Sequence, residues 1–229
     1  MKSTLTADQQ TRIRDFLAGI ETIPSGLGSA ESPCSVAAIN LALTGVLSDD
    51  IPECMCPVIG RWIIRIQDAM PDALRNSTGW RSLLPLAAGS RNPSAEHTRR
   101  EAIMDWMWHC LSTIQPVADK YGFGSEWKQM CESKTASASD AAAAAVAASA
   151  SASASAVAAA AANAVANANA VANAAAVAAA AAVANAVANA VADAVADAAC
   201  SANAVVEARR MTWTQFSPAS LLAKLIELE

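Results

Sequence analysis

The sequence predicts an all-α protein with two dissimilar parts, a compact helical head and a long alanine-rich helical repeat. Three observations support this prediction. Apolar residues before residue 134 recur at three- and four-residue steps, which is typical of amphipathic helices. Alanine, the best helix former, dominates residues 135–206. No glycine or proline occurs from residue 125 to residue 217, so the turns that a multi-stranded sheet needs have no obvious source there.

The head begins with a predicted helix over 5–20, because Thr6 and Gln9 form a capping-box pattern before an apolar stripe. A loop rich in glycine, proline and serine follows at 23–33. A second helix is predicted from Pro33, capped by Ser32, to about Thr44, with Gly45 at its end.

A third helix is predicted to start with Asp50 as its cap and to break or kink near Pro57. Residues 79–88 indicate a short helix or a turn. A longer one is predicted over 95–121, bent or interrupted at Pro116 and closed by Gly122 and Gly124. SEWKQMCES, at 125–133, indicates one more helical piece.

From Ala148 to Ala198 every even-numbered residue is alanine. A two-residue period is also typical of a strand with one uniform face, so a β-solenoid or stacked strands remain an alternative for this segment, and disorder a third. Helix is favoured by alanine propensity and by two sets of residues at four-residue steps on opposite sides of a helix, with valine at 183, 187, 191 and 195 and Asn or Asp at 185, 189, 193 and 197.

The C-terminal residues 207–229 include an amphipathic helix that starts at Ser217 and Pro218 and buries Leu221, Leu222, Leu225 and Ile226. We expect this helix to return to the head and complete its core. The predicted domains are therefore a head at 1–134, a repeat at 135–206, and a terminal segment at 207–229.

Four stretches of the head carry a specific resemblance: 21–45, which includes IPSGLG and CSVAAINLALTG; 51–80, which includes IPECM and GRWII; LLPLAAG at 83–89; and ADKYGFGSEW at 118–127. In these strings the chain resembles a group of uncharacterised bacterial and bacteriophage proteins that combine such a head with an alanine-rich repeat and a short leucine-rich end. The resemblance implies a helical repeat and a possible phage origin. It implies no activity.

Composition and charge bound the function. The net charge of −5 and the lack of a long basic run argue against nucleic-acid binding. The first residues lack the apolar core of a secretion signal, so we expect a cytoplasmic protein with reduced cysteines. The longest alanine-rich stretch free of Ser, Asn and Asp is too short to span a membrane.

Three groups of residues invite a chemical interpretation. An arginine and tryptophan cluster could bind an anion or stack on a base, and its members are Arg61, Trp62, Arg65, Trp80 and Arg81. A solvated helix face with a core tryptophan is the simpler interpretation.

Cys34 begins a predicted helix, where a thiol pKa falls, and His97 or His109 would be its partner in a cysteine-dependent enzyme. A metal site is suggested by Cys54 and Cys56 together with His109 and Cys110. Cys54 and Cys56 are two residues apart, however, and point in opposite directions on a helix. Burial in the core is the simpler explanation for all these thiols.

Trp106 and Trp108 lie on different sides of their predicted helix, so one of them could be an exposed binding anchor. Core packing is again the simpler interpretation. We predict no catalytic residues, no cofactor and no metal.

The first functional hypothesis is a non-enzymatic interaction or structural protein whose repeat self-associates or binds a protein partner. The alternatives are a binding module for a small anionic or nucleotide-like ligand on the head, and a cysteine-dependent enzyme that uses Cys34.

Overall fold

A computed structural model describes residues 5–113, 115–149 and 202–228. In chain order the helices are α1 (Ala7–Gly19), α2 (Ser35–Thr44), α3 (Pro57–Ala69), α4 (Asp72–Arg75), α5 (Thr78–Ala88), α6 (Glu96–Ser112), α7 (Gln115–Lys120), α8 (Gly124–Ser133), α9 (Ala136–Ser149), α10 (Ala202–Phe216) and α11 (Pro218–Glu227). Over these residues the prediction of an all-α protein is confirmed, because they contain no strand beyond a single bridge between Gly28 and Pro33.

Several helix ends follow the sequence signals. Thr6 and Gln9 form the predicted capping box of α1 through reciprocal side-chain and backbone hydrogen bonds. Gly45 ends α2 in the left-handed conformation, with φ of 75°. The predicted interruption at Pro116 is present as two separate helices, α6 and α7.

Two predicted helix starts are wrong. Cys34, not Ser32, is the N-cap of α2. The third helix begins at Pro57 and not after Asp50, so Pro57 occupies its first turn, where a missing N–H costs nothing. Residues 48–50 form a loop instead, held by Asn40, whose Nδ2 donates to the carbonyl oxygens of Ser48 and Asp50, each at 2.7 Å.

The described chain divides into two compact units. The first consists of Met1–Ala102 and Ser217–Glu229, and the second of Ile103–Phe216, so the boundary falls within α6 and again between α10 and α11. The predicted domain boundaries at 134 and 206 stay predictions.

The core of the first unit is built from α1, α2, α3, α5 and α11. The α3 stripe is buried as predicted, with Val58, Trp62, Ile63 and Ile66 all at 0% exposure. The terminal helix α11 packs on α3 and α5 and buries Leu221, Leu222 and Leu225, so its predicted docking is confirmed. The predicted burial of Ile226 is wrong, because that side chain is partly exposed at the edge of the contact.

The core of the second unit contains Trp106, Phe123, Trp127, Trp213 and Phe216. Trp106 and Phe216 pack edge to face, with ring centroids 6.3 Å apart, and Trp213 packs on Phe216 at 5.6 Å. The predicted structure of the alanine-rich repeat over 150–201 lies outside the described residues.

Candidate functional site

The two tryptophans of the predicted ligand cluster lie against each other in the core of the first unit. The ring centroids of Trp62 and Trp80 are 5.9 Å apart, and the two residues are 0% and 1% exposed. Trp80 Nε1 donates to Ser35 Oγ at 3.2 Å, and Ser35 N donates to the buried Gln67 Oε1 at 2.9 Å. In this arrangement neither ring offers a free face for stacking on a ligand.

The three arginines of the cluster are in different environments. Arg61 and Arg65 lie on the exposed face of α3, as their four-residue spacing predicts. The guanidinium of Arg81 instead reaches the end of α1, where Nη2 donates to the carbonyl oxygens of Leu17 and Ile20 and Nη1 to that of Glu21. Arg81 therefore has a structural contact that the sequence did not reveal.

Like Arg81, Arg75 and Arg99 donate to backbone carbonyls at the C-terminal ends of helices. Arg75, which is 3% exposed, donates to Gln67 O and Met70 O at the end of α3, and to Ile23 O at 2.8 Å. Arg99, which is 2% exposed, does the same at the end of α11. Each places a positive charge where a helix leaves carbonyls unpaired and its dipole is negative.

Cys34 has a structural hydrogen bond at the start of α2. Its side chain is buried, and Sγ accepts from the backbone N–H of Ala37 at 3.4 Å. His97, one of its two predicted partners, is exposed on α6 and places Nε2 3.3 Å from Glu101 Oε1. His109 is also exposed, on the part of α6 that belongs to the second unit.

In three further cysteines, Cys54, Cys110 and Cys131, burial raises the pKa of the thiol. Burial raises the pKa of Cys54, and it raises the pKa of Cys110 well above its usual value. Burial, aided by the neighbouring Glu132 carboxylate, raises the pKa of Cys131 to about 12. A raised pKa lowers the thiolate fraction at neutral pH, so none of the three is activated as a nucleophile.

Cys54 and Cys56 precede α3 and do not lie on a helix. The argument that they point in opposite directions on a helix, and so cannot share a metal ion, therefore does not apply. Cys56 is the N-cap residue of α3, and its N–H donates to Ser90 Oγ at 3.1 Å. Among the residues that the structure describes, no group of three or more His, Cys, Asp or Glu side chains is placed to hold a metal ion.

Trp106 is buried, whereas Trp108 is partly exposed, in agreement with their predicted placement on different sides of one helix. Trp106 Nε1 donates to the carbonyl oxygen of Phe216, the last residue of α10, at 2.7 Å. The interaction ties α10 to α6 within the second unit.

Both described flanks of the alanine-rich segment are helical and are held in this second unit. On the N-terminal side α9 packs on α8, and Ala138, Ser139 and Ala142 are buried. On the C-terminal side α10 buries Thr212, Trp213 and Phe216. The described helices on either side of residues 150–201 therefore belong to the same unit.

Two cavities lie within single units. One, of about 350 Å³, lies between α1 and α5 in the first unit, and the other, of about 540 Å³, is lined by residues of α6, α7 and α8 in the second. The second has acidic groups (Asp119 and Glu132) beside its one cationic group, Lys128, and Gln115 Nε2 donates to Asp119 Oδ1 at 2.8 Å.

Within the described ranges, no helix combines the length and the apolar character that crossing a bilayer requires. Comparison with protein-family models, curated proteins and solved structures finds no match to this chain.

Proposed function

We propose that the protein is a non-enzymatic interaction protein in which residues 150–201 associate with the same segment of a second copy. The observation that carries this proposal is the anchoring of both flanking helices, α9 and α10, in one unit. Two flanking helices held in one unit would tether the segment at both of its ends. The alternative is that residues 150–201 bind a different protein.

The composition of the segment supports association. Residues 150–201 contain no Lys, Arg, Gly or Pro, and most of their side chains are methyl-sized. Small side chains allow helices to approach closely, below the usual 8–10 Å between axes. A segment with this composition is also rich in apolar side chains, and an exposed apolar patch is typical of an interaction site.

The environment of the thiols agrees with an interaction protein of the cytoplasm. The five cysteines in the described residues are all unpaired, namely Cys34, Cys54, Cys56, Cys110 and Cys131. Unpaired cysteines at this density are typical of a reducing compartment. The resemblance to bacterial and bacteriophage proteins stays a prediction, and a phage origin belongs to this proposal only as an expectation.

The test compares the assembly of three full-length proteins by light scattering over a range of concentrations. The valine stripe is interrupted by Val187→Lys with Val191→Lys. The control, Asn185→Lys with Asn189→Lys, adds the same charge to the polar stripe. We expect the wild type and the control to assemble and the valine variant to remain monomeric.

A third variant keeps the flanks intact. Replacing 150–201 by a glycine–serine linker of equal length should abolish assembly while the helical signal and thermal transition of the remaining chain persist. A wild-type protein that stays monomeric at every concentration, or a linker variant that assembles as well as the wild type, would contradict self-association through this segment.

A further inference from the structure

The cavity between α1 and α5 has the size of a small-ligand site. Its volume of about 350 Å³ lies at the lower end of the range for such sites, roughly 300–1,000 Å³. Its lining comes from two helices that pack directly on each other in the first unit. From α1 it is lined by Arg14, Leu17 and Ala18, and from α5 by Thr78, Arg81, Ser82 and Pro85.

The lining combines positive charge with an apolar floor. Arg14 and Arg81 are cationic, and none of these described lining residues is acidic. Leu17 and Pro85 are buried and supply apolar surface, while Thr78 and Ser82 bring exposed hydroxyl groups. The cavity in the second unit differs, because Asp119 and Glu132 oppose the charge of Lys128 there.

Arg81 is held in a fixed position beside this cavity. Its Nη2 donates to the carbonyl oxygen of Leu17 at 2.9 Å, and its Nη1 lies 3.4 Å from that of Glu21. These hydrogen bonds fix the orientation of the guanidinium, and the partial negative charge at the end of α1 offsets only part of its positive charge. A cation that is already ordered loses little side-chain entropy when an anion binds.

Arg14 supplies the second, adjustable cation. It is exposed on α1, and among the residues that the structure describes it makes no hydrogen bond or ion pair. Its long side chain is therefore available to a ligand without breaking a contact that stabilises the fold. Two arginines can share an oxyanion that offers at least two acceptor oxygens.

We propose that this cavity binds a small organic oxyanion, with the charged group between Arg14 and Arg81 and an apolar body over Leu17, Ala18 and Pro85. A carboxylate and a phosphate monoester share this chemistry. The ligand class agrees with the anion predicted from the sequence, but the residues differ: Arg81 is common to both sets, and Arg14 takes the place of the arginines of α3. The proposal does not depend on the function proposed for 150–201.

The experiment uses titration calorimetry on the full-length protein with three aromatic probes. Benzoate and phenyl phosphate carry the two kinds of oxyanion, and benzamide is the neutral analogue of benzoate. We expect at least one anion to bind about tenfold more tightly than benzamide, because the two arginines discriminate the charge. The preferred anion distinguishes the carboxylate from the phosphate ester. If neither anion binds more tightly than benzamide, the proposal is wrong.

Matched arginine variants locate the binding. Arg14→Gln should lower the affinity for the preferred anion about tenfold. Arg12→Gln is the control, because Arg12 is also exposed on α1 but lies two residues away, roughly 200° around the helix, and does not line the cavity. Equal weakening by the two substitutions would indicate general surface charge and would overturn the proposal.

A third variant tests the cavity itself. Ala18→Phe places a ring in the cavity from an exposed position of α1 and leaves both arginines intact. We expect it to abolish binding while the thermal transition remains that of the wild type. Undiminished binding to this folded variant would place the anion elsewhere and would also overturn the proposal.

Discussion

Arg99 donates its Nε hydrogen to the carbonyl oxygen of Leu225 at 2.8 Å, across 126 positions of sequence. The same guanidinium donates to Leu228 O and Ser90 O, each at 2.8 Å. One buried cation therefore holds the end of α11 to the N-terminal part of the first unit. The contact supplements the apolar packing of α11 on α3 and α5.

We expect Arg99→Met to lower the free energy of unfolding by about 3 kcal/mol, because it removes three charge-assisted hydrogen bonds and leaves buried carbonyls unpaired. Urea denaturation followed by circular dichroism measures the change. Arg100→Met is the control, since Arg100 is exposed and pairs with Glu96 at 3.1 Å on the surface of α6, an interaction worth less than about 0.5 kcal/mol. Equal losses in the two variants would contradict a specific role for Arg99.

Substitution by alanine should change the stability of the protein in opposite directions at two helical glycines, Gly60 and Gly79. A Cβ at Gly60 would lie 2.7 Å from Ile51 Cγ2 and 3.0 Å from Met55 Sδ, whereas a Cβ at Gly79 would meet nothing within 4 Å. Gly60→Ala should therefore lower the free energy of unfolding by about 1–3 kcal/mol, because the cost of overpacking exceeds the stability gained from the higher helix propensity of alanine. Gly79→Ala should stabilise by about 0.5 kcal/mol. Thermal denaturation of both variants checks this, and a shift of the same sign in each would refute it.

Because the pKa of Cys131 is raised in the folded protein, the free energy of unfolding should depend on pH in the alkaline range. The unfolded thiol loses its proton near 9.0, and the folded one at about 12. Between these values the folded state binds more protons, so this contribution is fully present below about pH 9 and is lost progressively as pH rises toward 12. We expect stability to fall more steeply in the wild type than in Cys131→Ala between about pH 8 and pH 10.5. Parallel pH profiles would show that Cys131 is not the group responsible.

Local signals predicted the parts of the fold that depend on neighbouring residues. The capping box at Thr6 and the left-handed Gly45 were predictable because each involves one helix turn. The start of α3 was not predictable in this way. Pro52, two residues after the predicted cap Asp50, and Pro57 both satisfy the preference of proline for a first helical turn. The residues before Pro52 form a loop instead of a helix start. Asn40, which is distant from Pro57 in the sequence, holds this loop by donating to the carbonyl oxygens of Ser48 and Asp50.

The candidate site was less predictable than the fold. The three-to-four spacing correctly indicated that Arg61 and Arg65 share a helix face, yet it gave no sign that Trp62 and Trp80 pack on each other. The contacts of Arg81 with the end of α1 and of Arg99 with the end of α11 join residues about 60 or more positions apart in the sequence. An arginine that caps a distant helix has the same local sequence as one that lies in solvent, so a single sequence carries no signal for it.

The first unit is discontinuous in sequence, which has a consequence for its synthesis on the ribosome. Its interior cannot close when Ala102 emerges, since α11 and the carbonyls that Arg99 binds have yet to be translated. At roughly 5–20 residues per second, the delay is on the order of ten seconds. During that interval the faces of α3 and α5 that α11 will cover are open to water and to chaperones.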